Sequence, residues 1–136
     1  MVSPLLVDLV VWLHLAYAAF VVSGYGLIPL GAWLGWRWVR RRRYRQLHLA
    51  AIVLVAAEAV VGVVCPLTEL ENALRQAAGL RAQAGTFMGR LAYDLLYYQF
   101  PPWAFTSAYL LLVALGIALW WVVRPAPPRG RGRATR

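Results

Sequence analysis

Three long apolar stretches decide what this chain can fold into: Leu5 to Trp36, Leu47 to Cys65, and Ala104 to Val123. A helix needs about 20 mostly apolar residues to cross the hydrocarbon core of a bilayer. In lipid every backbone polar group must be satisfied within the chain, which a helix does for itself. The composition agrees, since 62% of the 136 positions are apolar where a soluble domain runs nearer half. The pattern predicts an all-α integral membrane protein with three transmembrane helices plus two short interfacial helices, built as one membrane domain over residues 1–123. The single cysteine, Cys65, excludes an internal disulfide and any multi-thiolate zinc or iron-sulfur site.

The first stretch would be roughly 48 Å long if fully helical, more than a bilayer core needs, so it must tilt or bend. Pro29 removes a backbone donor among several glycines, which predicts a kink. Nothing basic precedes Leu5 apart from the chain's amino group, so the stretch is expected to be retained and not cleaved as a signal.

Orientation follows from the arginines, the only basic side chains that carry a fixed charge here. Six lie between Arg37 and Arg45, five between Arg124 and Arg136, and three in the loop from Pro66 to Trp103. The positive-inside rule then places the first hairpin and the C-terminus in the cytoplasm, with the N-terminus and the 66–103 segment outside a bacterial inner (plasma) membrane. Trp33, Trp36, Trp38, Trp120 and Trp121 fall at the inner interface, and the aromatic residues around Tyr97 to Trp103 at the outer one. The cluster at Arg37 to Arg45 suits anionic lipid. The Arg-Gly repeat near the end is too short to favour nucleic acid, and residues 124–136 read as a disordered Arg/Pro/Gly tail.

The outer segment carries its own signals. Thr68 and Glu71 have the spacing of a capping box, Glu71 and Arg75 can pair at i, i+4, and Gly79 suits the stop. Residues Thr86 to Tyr98 repeat their apolar positions at helical spacing with Arg90 and Asp94 opposite, which predicts a helix lying in the interface with those two charges paired.

Ionisable groups inside spans are costly unless paired, neutral or beside a wet cavity, which singles out His14 and Glu58. In the second span, His48, Ala51, Val55, Glu58, Gly62 and Cys65 share one face. The third span offers a matching stripe through Thr106, Tyr109 and Gly116. Tyr17 and Tyr109 are candidate hydrogen-bond partners in this intramembrane polar site. Gly31 and Gly35 have the spacing for close helix approach.

At Cys65-Pro66-Leu67-Thr68, followed by Leu70-Glu71-Asn72, the chain resembles a bacterial family known as Domain of Unknown Function 2784. Leu13-His14-Leu15 in the first span, and His48 and Glu58 in the second, extend the resemblance over most of the chain. The chain departs at Gln83-Ala84-Gly85-Thr86, where an aromatic and paired glycines are usual before a Phe. The resemblance implies a small integral membrane protein and supplies no activity.

No catalytic constellation emerges. His14 and His48 differ in depth by about 11 Å along their helices, too much for two imidazoles to hold one haem. His14, Glu58 and Cys65 make only three mixed ligands without metal-site spacing, and no base or cation adjoins Cys65 to activate it. The leading expectation is therefore a non-enzymatic binding or accessory subunit. Its polar face would hold a small ligand, a partner membrane helix or a second copy of the chain. The alternatives are a proton-coupled carrier component using Glu58 and His14, and a membrane redox protein with a cofactor the sequence does not name. His14 and Glu58, on neighbouring antiparallel spans at similar depth, are expected to approach each other directly or through one water.

Overall fold

The computed structural model describes residues 3–127, which form five helices and no strand: α1 Pro4–Trp33, α2 Arg42–Val61, α3 Pro66–Ala77, α4 Phe87–Leu96 and α5 Pro102–Val122. Helices α1, α2 and α5 are long and apolar enough to cross a membrane. They leave Leu9, Trp12, Leu54 and Leu111 exposed, as a lipid-facing surface requires. Of the expected tail over 124–136, residues 128–136 lie outside the described residues, while in its first part the Ala126 N–H donates to the Arg40 carbonyl at 2.8 Å.

Helix α1 starts on Ser3, whose hydroxyl accepts from the Leu5 N–H, with Pro4 preset for the first turn. The helix continues through Pro29 and ends at Trp33, short of Trp36. Gly35 takes a left-handed conformation with φ +75°, and the Trp36 N–H closes back on the Gly31 carbonyl at 2.7 Å. The Gly31 and Gly35 spacing thus terminates a helix and does not join two. A side chain at Gly31 would meet Val39 of the same hairpin.

Helix α2 begins at Arg42, earlier than Leu47, so that part of the arginine cluster is helical. It stops at Val61 because Gly62 turns left-handed, leaving Cys65 beyond the span and not at its end. Cys65 becomes the N-cap of α3, with Pro66 at its first position. The Thr68 and Glu69 N–H groups both bond the Cys65 carbonyl. The capping box on Thr68 and Glu71 is therefore not formed. Proline fixes the helix start two positions before Thr68, and both residues lie inside the helix, buried. At the other end Gly79, φ +73°, supplies the stop, with the Leu80 N–H on the Arg75 carbonyl at 2.8 Å. Helix α4 is capped by Thr86, whose hydroxyl accepts from the Gly89 N–H at 3.1 Å.

The largest interface joins α2 to α5, while α3 lies across α1. At Gly116 of α5 a methyl group would sit at ordinary contact distance from Leu49 and Ile52 of α2 and from the Tyr25 hydroxyl of α1. Gly24 is required for the approach of α1 to α2, since a methyl group there would run into the His48 ring. His48 is buried with Nε2 2.9 Å from the Val21 carbonyl. Arg45, also buried, donates from one nitrogen to the Leu119 carbonyl at 2.7 Å and the Val123 carbonyl at 3.1 Å. Its guanidinium also lies 5.7 Å from the Trp120 ring centre. This places a cation on the last turn of α5, where the carbonyls lack helical partners and the macrodipole is negative. Trp36, Trp38 and Tyr44 pack beside it. This hairpin end fixes how the three long helices stand relative to each other, and so the space at the opposite end.

Candidate functional site

At the end where α3 and α4 lie, the bundle is not filled. A cavity of about 140 Å³ opens between α1, α2 and α5, walled by aliphatic side chains such as Val21, Ile52, Val55 and Leu112. His14, Tyr17, Glu58, Cys65, Thr68 and Tyr109 also line it. The structure thus brings five of the six polar-face candidates into one space. His48, the sixth, belongs to the hairpin end. Tyr17 donates to the Ala51 carbonyl at 2.7 Å, and Tyr25 makes the matching bond to the Leu112 carbonyl.

His14 and Glu58 face the same cavity, yet no direct hydrogen bond or ion pair among the described residues joins them. The His14 ring instead stacks on Phe87 from α4, with centroids 4.0 Å apart and planes inclined by 14°. His14 is 6% exposed and Thr68 1%, and His14 Nδ1 and Thr68 Oγ1 have no hydrogen-bond partner. A buried polar atom left in this state costs about 1–3 kcal/mol, and both residues line the cavity.

Cys65 is half-buried, and burial pushes its thiol above the ordinary range. The N–H groups of Leu67 and Thr68 oppose that rise, and the neighbouring Glu58 carboxylate adds to it. A thiol held protonated in this way is a poor nucleophile and a weak polar wall for a ligand.

A second, larger cavity of about 930 Å³ lies outside the first, between α1, α5 and the α3–α4 segment. The two share Ala59, Val63, Thr86, Phe87 and Tyr109 as lining, so Phe87 stands between them. Helix α4, which carries Phe87, is held by charge. Glu71, fully buried, accepts from Arg75 Nε at 2.9 Å and from Arg90 at 2.7 Å. The Arg75 pair is the one expected from spacing along the helix. The expected Arg90 to Asp94 pair is replaced, because a buried carboxylate on another helix outcompetes an exposed one on the same helix. Asn72 adds a two-way clamp on the backbone of Gln83, at 2.9 and 3.2 Å. Arg90 retains a buried nitrogen, Nη1, with no partner.

The sequence reading missed Phe87 as a site residue and Glu71 as the latch that holds it. Their signals were present as a capped amphipathic helix and an intrahelical ion pair, but neither reports the tertiary contact. No group of three or more His, Cys, Asp or Glu side chains among the described residues is arranged to hold a metal ion.

Neither a curated protein nor a solved structure matches the chain. The sequence pattern of one family does, over residues 4–125, a range that contains all five helices and both cavities. The chain belongs to the family described as Protein of Unknown function (DUF2784).

Proposed function

We propose that this chain is a small multi-pass protein of the bacterial plasma membrane that acts as a binding or accessory subunit, holding a small ligand in the cavity between α1, α2 and α5. The observation that carries the reading is that His14 and Thr68, whose buried Nδ1 and Oγ1 lack a partner, both line one mostly apolar cavity. Buried polar groups are nearly always bonded, and exceptions mark function or a missing partner. Mostly apolar walls with a few convergent polar groups are what small-molecule sites look like.

The arginine distribution supports an orientation with the N-terminus, Cys65 and the cavity mouth outside and the arginine hairpin in the cytoplasm. The ligand would then enter from the outer leaflet or the periplasmic face.

The test is to purify the full chain from its native membrane, extract it with organic solvent and identify the extract by mass spectrometry. The comparison is Val55→Phe, which fills the inner cavity. A compound recovered in near-equal amount with the wild-type protein and lost from a folded Val55→Phe variant is the expected result. Extracts that do not differ between the two proteins would overturn the reading.

A further inference from the structure

Resting on that binding reading, we infer the chemical class of the ligand. It is a neutral, flat, ring-sized head bearing carbonyl or hydroxyl oxygens, attached to an apolar tail, which is the chemistry of a substituted benzoquinone or its quinol.

Size comes first. A cavity of about 150 Å³ lined by apolar side chains accepts a benzene ring, and the inner cavity, at about 140 Å³, is of that order. The cavity takes about one ring and not a folded chain, and its mostly apolar walls disfavour a sugar. A flat shape suits it, because the His14 and Phe87 rings already lie nearly parallel at its edge and offer a stacking face.

The polar atoms fix the chemistry of the ring's edge. Thr68 has a hydroxyl that can donate or accept, and a neutral imidazole offers one of each. An oxygen on the ring near His14 Nδ1 and Thr68 Oγ1 would give both atoms the partner they lack. A quinone carbonyl accepts from both, and a quinol hydroxyl can serve each in turn.

Charge argues for a neutral head. An anion would face the Glu58 carboxylate across the same cavity and would leave water for an apolar wall, at a cost of several kcal/mol. Arg75 and Arg90 both pair with Glu71 and line the outer cavity, where Arg90 Nη1 remains unpartnered, and neither lines the inner one.

The tail has a place to go. Past Phe87 the inner cavity meets the outer one, where Val11, Leu15 and Phe105 form an apolar floor against the lipid-facing sides of α1 and α5. Phe87, stacked on His14 and carried on a short helix latched by Glu71 and Arg90, lines both cavities and so flanks the path between them. The ligand ring then replaces or adds to the stack on His14.

Native mass spectrometry of the full chain, released from detergent micelles, tests this with four probes that share a ten-carbon tail. They are trimethyl-decyl-1,4-benzoquinone, whose fully substituted ring gives Cys65 no position to add to, decylbenzene, decanoate and decyltrimethylammonium. The quinone is expected to bind at least about tenfold more tightly than decylbenzene, the difference two new hydrogen bonds make. His14→Phe and Thr68→Val, both near in shape to the residues they replace, should each weaken the quinone about threefold to tenfold while leaving decylbenzene unchanged. Equal binding of quinone and decylbenzene would overturn the inference while keeping an apolar binding pocket. Tighter binding of the ammonium probe would overturn it in favour of a cation drawn by Glu58, and tighter binding of decanoate in favour of an anion. If no probe binds while a native compound is recovered from wild-type protein alone, the assigned class is wrong and the binding function stands. If the extracts also fail to differ, both fall together.

Discussion

The two ends of the bundle spend their polar side chains in opposite ways. At the hairpin end, His48 and Arg45 are buried and reach backbone carbonyls of other helices, Val21, Leu119 and Val123, with only Arg45 Nη1 left unpartnered there among the described residues. Gly24 lets α1 come so close to α2 that a methyl group there would run into the His48 ring. At the opposite end, His14 and Thr68 are equally buried and line a cavity, and His14 Nδ1 and Thr68 Oγ1 have no partner. The same residue type, a histidine deep in an apolar span, is thus bonded across helices in one place and unpartnered beside a cavity in the other. Burial of a polar residue in a membrane span does not distinguish structure from function; the identity of its partner does.

The comparison can be broken most decisively at Glu71. Glu71→Ala leaves Arg75 and Arg90 facing each other without their counter-charge, and breaking a buried pair in this way costs about 3–5 kcal/mol. Solvent access to both arginines brings the expected loss to about 2–3 kcal/mol. Hydrogen exchange should show α4 opening while α2 and α5 keep their protection, and uniform protection across α4 would contradict the latch. Gly24→Ala should act at the other end, forcing His48 away from α1 for about 1–3 kcal/mol. A thermal midpoint unchanged from wild type would mean that the close approach of α1 to α2 is not made.

A matched pair sharpens the contrast. His48→Phe removes the partner of the Val21 carbonyl and should destabilise by about 1–2 kcal/mol. His14→Phe removes a buried group that has no partner and should leave the ligand-free protein as stable as before, or slightly more so. Equal losses in the two variants would erase the distinction between the ends.

The smallest effect expected is at Cys65. Burial and the Glu58 carboxylate hold its thiol protonated, and the thiolate is the form that reacts. Alkylation near pH 8 should be several-fold slower than for a free thiol and should still be rising at pH 9. Glu58→Gln removes one contribution to that rise, so its alkylation curve should move to lower pH. A curve that does not move would separate Glu58 from Cys65.

Length and apolarity made the three spans legible, and helical periodicity gave α3 and α4, because both signals are local. What escaped the sequence depends on partners far along the chain. Arg90 has Asp94 at helical spacing, but the burial of Glu71 on another helix decides the pairing. Thr68 and Glu71 satisfy the spacing of a cap, but Pro66 starts the helix first. Gly31 and Gly35 fit a packing motif and end a helix, whereas Gly24, which belongs to no such pattern, makes the close approach to His48. That His14 and Glu58 would line one space was foreseeable from helical rise. The Phe87 ring over His14 was not, since it comes from a helix that does not cross.

The bond from Arg45 to the end of α5 has a consequence for biosynthesis. Arg45 leaves the ribosome long before Leu119 and Val123, whose carbonyls it will bind. Until the last helix has threaded to its full depth, the two-helix nascent chain carries a guanidinium with no acceptor, kept at the aqueous boundary. Engagement of those final carbonyls lets the charge withdraw into the protein. The burial of Arg45 thereby waits on the arrival of the last helix.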